Sequence, residues 1–299
     1  MIEIKLVQDL EIAKEIWNKL TPAESIYDLW DLRYCFYKNN PQPLYFYVAY
    51  DDTEAVALLP LQYNEKKNYL EFLAEFFIED NRLFFKKGYE YLLPELLKID
   101  FPHPVKIYDL MGEEEIISSL PLEDYVYLAD ISDCENFSDY LKKAFPNKHR
   151  RHNFGAIFKN LEKNYSIQIV KEDFQDMEKL FDLNVKSFGK ESYLGTGRER
   201  KDFLDLIKLP LEWKLVTVIV DGVKSAVSLS VIYKETYFYM ISGADNSLVK
   251  DVFKYLTKIN LELAIENGAK IFNTSLGDCN WKQYWHFDKS PRYKLEKNT

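Results

Sequence analysis

Glycine is scarce, at 10 residues in 299. That excludes collagen-like repeats, flexible glycine-rich arrays and propellers that need a tight turn in every blade. Cysteine is scarcer still. Cys35, Cys134 and Cys279 are odd in number and far apart, so no disulfide framework is expected, and free thiols in a reducing cytosol are the simplest reading. The four histidines form neither HExxH nor His-x-His, and no close cysteine pair exists, so no metal site is expected. No apolar run approaches the roughly 20 residues of a membrane helix. The opening stretch MIEIKLVQDLEIAKEIW is amphipathic and carries acids, unlike a secretory leader, so a cytoplasmic location is expected. Positive charge is also in deficit, 39 Lys and Arg against 48 Asp and Glu. A net charge of −9 argues against coating nucleic acid through the bulk field, but leaves room for a local basic site.

What is present is an ordinary globular balance, 47% hydrophobic and 29% charged, with 22 tyrosines and 20 phenylalanines. The chain also repeats itself. Residues 45–63, YFYVAYDDTEAVALLPLQY, read as strand, turn, strand. Residues 215–233, LVTVIVDGVKSAVSLSVIY, read the same way, 170 positions later and without a gap. Asp51 falls on Asp221, Leu59 on Leu229, Tyr63 on Tyr233 and, in the next strand, Tyr69 on Tyr239. An Asp- or Gly-bearing turn between β-branched and aromatic runs is a hairpin signal. Helical stripes precede both hairpins: Leu10, Ile12, Ile16 and Leu20 before the first, and Met177, Leu180, Phe181, Val185 and Phe188 before the second. Phe253, Leu256, Ile259 and Leu263 make a further stripe, closed by Gly268 and followed by a strand at 270–274. The first half reads α, β, β, β, α, β. The second reads β, α, α, β, β, β, α, β. The fold class is therefore α+β in two similar units, residues 1–131 and 132–299. A bridging helix, expected from Pro146 to Leu161 with the proline in its first turn, opens the second.

Three segments could carry chemistry. Residues 142–164 hold Lys142, Lys143, Lys148, Arg150, Arg151, Lys159 and Lys163 against Glu162 alone. Basic residues in a first helical turn oppose the helix dipole, so a ligand such as phosphate or carboxylate is one reason for Arg150 and Arg151 to be there. The other is a basic face packed on an acidic neighbour. Nucleic-acid readout fits the overall charge poorly, and a tRNA acceptor stem is the form of it that remains. In residues 269–287 a strand ends in a Gly277-Asp278 turn followed by Trp281, Lys282, Trp285 and His286. Ringed by tryptophans, Lys282 would place a fixed charge near a developing oxyanion. Alternatively the aromatics pack and Lys282 reaches to water. His286 is read as structural. In residues 237–256 a strand meets Gly243 and a polar loop, where Asp245 either caps locally or orients a substrate amine.

Together these segments resemble the tandem-GNAT acyltransferases, the FemAB-like group that includes CelD-like acetyltransferases. Four stretches carry the resemblance: residues 58–61 (Leu-Leu-Pro-Leu); Lys148, Arg150 and Arg151; residues 243–245 (Gly-Ala-Asp); and Phe272-Asn273 with Gly277-Asp278 and Trp281-Lys282. The resemblance implies two GNAT-like units, each a mixed, mostly antiparallel sheet flanked by helices. It implies transfer of an acyl group from acyl-CoA, acetyl-CoA in the simplest case, to an amine of a small molecule, amino sugar or sugar nucleotide. Carried over by position, Lys282 would stabilise the oxyanion and Asp278 would hold the turn or orient the amine. Lys148, Arg150 and Arg151 would hold phosphate, while Tyr239, Asp245 and Trp281 would line the substrate cleft. The alternatives are a Fem-type transferase using aminoacyl-tRNA on a cell-envelope precursor, and a GNAT-fold binding module without catalysis. Departures from the family pattern are Asn273 for Asp, Trp281 for Tyr, and a loop from Asn246 to Asp251 without glycine, which weakens the case for a coenzyme phosphate there. No coiled-coil pair is visible, which counts against tRNA.

Overall fold

The computed structural model describes residues 1–298 apart from 113, 196, 278 and 279. The chain forms two units. The first is Met1–Tyr125 with the C-terminal stretch Pro291–Thr299, and the second is Val126–Ser290.

The first unit runs β1 (Ile2–Val7), α1 (Leu10–Leu20), α2 (Trp30–Tyr37), β2 (Leu44–Asp51), β3 (Glu54–Asn64), β4 (Tyr69–Phe72), β5 (Phe84–Phe85), α3 (Leu93–Leu97), β6 (Val105–Leu110) and α4 (Glu115–Ser118). Then come β7 (Leu122–Asp130), α5 (Phe137–Ala144), α6 (Lys148–Asn164), β8 (Ile167–Lys171), α7 (Met177–Phe188), α8 (Gly197–Leu206), β9 (Glu212–Val220), β10 (Val223–Tyr233), β11 (Thr236–Ala244), α9 (Val252–Glu266), β12 (Ile271–Leu276), α10 (Trp281–Tyr284) and β13 (Asp288–Lys297).

In the first unit the strand order is β1-β2-β3-β4-β6-β13, and in the second it is β7-β12-β11-β10-β9-β8. Each sheet is antiparallel except for one parallel contact, β4 with β6 and β11 with β12. The two expected hairpins are β2–β3 and β9–β10, and the second turns through Asp221 and Gly222, both at positive φ, as a tight hairpin requires. The repeat extends further than the sequence reading held. β1 pairs antiparallel with β2 as β8 does with β9, so both units contain the run strand, two helices, strand, strand, strand, which in the second follows β7, α5 and α6. Pro146 was expected inside the bridging helix. It lies ahead of it, and Asn147 is the cap, its side chain accepting from the His149 and Arg150 amides.

β3 is buried from Ala55 to Leu61 because both of its faces are covered. On one face Trp17 of α1 meets Phe46 and Phe84, and its Nε1 donates to the Asp28 carbonyl at 2.7 Å. On the other, Leu59 and Leu61 join a core with Leu93, Leu96, Phe101 and Val105. The C-terminal stretch is pinned to this unit by Arg292, which pairs with Asp80 and donates to the Glu79 carbonyl at 3.1 Å. In the second unit α9 is locked to the sheet by Asn260, fully buried. Its amide donates to Ser228 Oγ at 2.9 Å and to the Leu256 carbonyl, while its oxygen accepts from the Tyr237 hydroxyl at 2.8 Å and from Ser230. A buried side-chain amide satisfied on both sides fixes one arrangement of helix on sheet.

Two predictions follow from these packings. Gly243 of β11 lies against the backbone of α7: a Cβ there would stand 2.3 Å from Asn184 N and 2.5 Å from Leu183 C. Gly243→Ala should cost about 2 kcal/mol or more in urea unfolding, as forced overpacking does; an unchanged midpoint would refute that close approach. In the first unit Asp109 has its ionisation raised from 3.8 to about 8, by burial first and then by Glu79, Glu123 and Asp124. Between those values the folded chain holds a proton the unfolded chain has lost, so stability falls as pH rises from about 4 to 8. Asn tolerates the left-handed backbone of this position, φ 53°. Asp109→Asn should therefore flatten the slope and stabilise the chain by about 2 kcal/mol above pH 8. An equal effect at pH 4 and pH 9 would contradict the assignment.

Candidate active site

The site begins where two strands part. β11 and β12 run parallel through three residue pairs, Thr236–Ile271, Tyr237–Phe272 and Phe238–Asn273. There the pairing stops, although β11 continues to Ala244 and β12 to Leu276. Both strands bend at that point. The β10–β11 register slips between Leu229–Ile241 and Ser230–Tyr239, leaving Met240 as an extra residue on β11. On β12, Ser275 takes a left-handed backbone, φ 69°, and the Asn273 side-chain oxygen accepts the Ser275 amide at 2.8 Å. One bond still spans the opening, from Ser275 Oγ to the Tyr239 carbonyl at 3.2 Å.

Lys282 is fixed at the foot of this opening. It is 3% exposed, and its Nζ donates to the Ser275 carbonyl at 2.7 Å and to the Leu276 carbonyl at 2.6 Å. The rings of Tyr127 and Trp281 lie 5.3 and 5.9 Å from it. Of the two tryptophans expected to ring the lysine, Trp281 does so. Trp285 is fully buried among Phe137, Phe154 and Phe287, where Tyr140 donates to its carbonyl at 2.6 Å. The alternative in which Lys282 reaches to bulk water is ruled out by its burial. His286 packs its ring on Phe145 at 4.5 Å, in keeping with a structural role.

Tyr239 and Trp281 stand together, rings edge-on at 6.4 Å, and Trp281 meets Phe253 of α9 in the same manner at 5.0 Å. Tyr239 is buried, its hydroxyl has no hydrogen-bond partner among the described residues, and burial pushes its ionisation well above the ordinary tyrosine range. Asp245 lies farther along. Its carboxylate accepts from Ser247 Oγ at 2.6 Å and from the Leu248 amide, and it pairs with Lys186 at 2.5 Å, which with those bonds holds its pKa down at about 2. That is the capping role of the two foreseen. Asp278 lies outside the described residues. Lys148, Arg150 and Arg151 open α6; Lys148 and Arg151 line a groove against α5, whereas Arg150 does not. Tyr127 and Ser275 were not singled out in the sequence. Their roles rest on contacts made across 155 and 7 positions of chain, Tyr127 to Lys282 and Ser275 to Lys282, which no local pattern records.

The loop after β11 bears on the donor. Asp251 occupies the N-cap of α9 with φ 66°, and its carboxylate pairs with Lys254 at 2.7 Å. A carboxylate there is a poorer cradle for a pyrophosphate than open backbone amides. Among the described residues no group of His, Cys, Asp and Glu is arranged to hold a metal ion, and no helix is long and apolar enough to cross a membrane.

The first unit lacks the equivalent centre. β6 and α4 match β12 and α10 at a common offset (105 to 271, 115 to 281). Asp109 shares the left-handed backbone of Ser275, but Ile116 stands where Lys282 stands, and α3 spans 5 residues against 15 in α9.

Residues 148–283 match the family model described as an acetyltransferase (GNAT) domain. The second unit carries a GNAT acetyltransferase domain. That domain, residues 148–283, is an acyltransferase domain of the GNAT class. Solved structures extend the likeness to the whole chain. L-PGS from Bacillus licheniformis matches at a TM-score of 0.58 and 12% identity, over 96% of this chain and 91% of that one. FemX matches at 0.58 and 10%, over 98% and 96%. A tandem GNAT protein from the clavulanic acid biosynthesis pathway matches at 0.54 and 8%, over 99% and 98%. At such identities they establish the fold, that of tandem GNAT proteins. A comparison with curated proteins returns no match.

The Lys282 ammonium holds two carbonyls that would otherwise be left without that donor. Lys282→Met should therefore lower stability by about 1–3 kcal/mol, the cost of stranding buried acceptors. A thermal melt equal to wild type would show that these bonds are not made in solution.

Proposed function

We propose that the protein is an N-acyltransferase that moves an acyl group from acyl-CoA to an amine of a small molecule or amino sugar by direct attack. The observation that carries this reading is the parting of β11 from β12 with a buried ammonium fixed at its foot. Along residues 239–244 β11 keeps β10 on one edge. On the other, the Tyr239 carbonyl takes Ser275, the Ser242 carbonyl takes Asn184 and the Ala244 amide takes Ser187, and the stretch between them, left without β12, suits hydrogen bonding to an extended donor chain. Tyr239 and Trp281 supply an aromatic wall, and the Tyr239 hydroxyl, without a hydrogen-bond partner among the described residues, is a donor for a substrate. The amine, in its neutral form, attacks the thioester carbonyl. The C–N bond forms, the oxyanion gathers charge, the C–S bond breaks, and the coenzyme departs as its thiol once the amine proton is transferred. No covalent enzyme intermediate is needed. Lys282 would stabilise the oxyanion through a fixed positive charge in a place shielded from water, where such a charge acts most strongly.

Asp251 at the α9 N-cap favours one second reading, a donor whose phosphates do not sit on that helix, such as an aminoacyl ester of tRNA. RNase treatment that abolishes turnover would select it.

The test is a kinetic comparison of wild type, Lys282→Met and Lys282→Arg with acetyl-CoA and a panel of amines. Lys282→Met should lose about 100-fold or more in kcat with a smaller change in KM, as expected when a donor to the oxyanion is removed. Lys282→Arg should recover part of it. Full turnover by Lys282→Met would overturn the role.

A further inference from the structure

The strongest feature outside the strand opening is a groove of about 400 Å3 between α5 and α6. Lys148, Arg151, His152 and Lys159 line it from α6, and Lys142 lines it from α5. The α6 residues fall at helix spacing on one face, and the rise per residue puts Lys148 and Lys159 about 16 Å apart. No Asp or Glu is among the described residues that line the groove. Lys142 pairs with Asp139 at 2.8 Å, and Arg151 donates through Nη1 to the Phe145 and Pro146 carbonyls, which leaves its charge unpaired. Lys148, His152 and Lys159 carry no ion pair or hydrogen bond among the described residues. In a chain of net charge −9 this gathers unpaired cations along one line.

The floor of the groove makes the second argument. Gly155 sits mid-helix, where glycine costs about 1 kcal/mol relative to alanine. A Cβ built on it would meet nothing within 4 Å, and it is not at positive φ. Neither packing nor backbone geometry calls for glycine there. What its missing side chain does is keep the space beside Ala156 open between the cations.

We propose that the α5–α6 groove binds a small ligand carrying a linear polyphosphate. A single phosphate would reach only one end of a 16 Å line of charge, whereas a chain of phosphoryl groups reaches several cations at once. No Phe, Tyr or Trp is among the described residues that line the groove, so recognition rests chiefly on the phosphates. The proposal extends the phosphate role expected of Lys148 and Arg151 to Lys159, to the groove between α5 and α6 and to a chain of phosphates, and none of these residues is among the partners of the Lys282 ammonium.

Calorimetric titration of the full-length protein with orthophosphate, pyrophosphate and tripolyphosphate tests the proposal. Affinity should rise along that series and weaken with added salt as the charges are screened. Gly155→Leu should fill the floor and lose at least about tenfold in tripolyphosphate affinity, while melting at the wild-type temperature or above it, as helix propensity predicts. Lys148→Glu with Lys159→Glu should lose a similar factor or more. No binding of tripolyphosphate, or equal binding by Gly155→Leu, would overturn the proposal. So would tighter binding of a short single-stranded RNA than of tripolyphosphate, in favour of a nucleic-acid surface. Because none of these readouts involves turnover, their failure leaves the acyl-transfer reading to stand or fall on the Lys282 kinetics.

Discussion

Three residue pairs hold β11 to β12, and the proposed acyl transfer depends on the pairing stopping there. Parallel strands that continued to Ala244 and Leu276 would use up their own backbone groups and leave no opening. The stop is built by local strain: an extra residue at Met240 on one strand and a left-handed serine on the other. Strain of this kind persists only where the surroundings hold it. Here Asn273 accepts the Ser275 amide, and Lys282 takes the carbonyls of Ser275 and Leu276. The same lysine thus maintains the bend and brings positive charge to it. Under the proposed function, exchanging this lysine for a neutral residue costs fold and chemistry alike.

The duplication shows which parts of this arrangement are general. Both units keep the hairpin, the flanking strand and helix, the single parallel contact and the left-handed residue near the end of the parallel strand. Only the second keeps a long helix after the splayed strand and a lysine behind it. The first unit instead holds a buried polar cluster on α2, with Arg33 1% exposed and bonded to the Tyr27 and Leu73 carbonyls and to Asn81.

Much of this was legible in the letters. The hairpins announce themselves because an Asp-Thr or Asp-Gly turn separates β-branched and aromatic runs that are buried almost throughout, and the α9 stripe because Leu256, Ile259 and Leu263 must face the sheet. β1 was missed because an edge strand half open to solvent carries weak patterning, and α2 because eight residues give a helix period little room. The attachment of residues 291–299 to the first unit could not be read at all, since it rests on Arg292 meeting Asp80 across 212 positions. Lys282 stood out through its aromatic neighbours, yet one of them, Trp285, faces an aromatic core, and Tyr127 supplies the missing ring from a strand far away in sequence.

Hydrogen exchange of backbone amides with and without acetyl-CoA addresses the central claim most directly. Protection should appear at residues 239–244 of β11 and 275–276 of β12, and none should appear at β4 and β6 of the first unit. Protection confined to the first unit, or no change at residues 239–244 under saturating coenzyme, would contradict the assignment of the donor to the opening between β11 and β12.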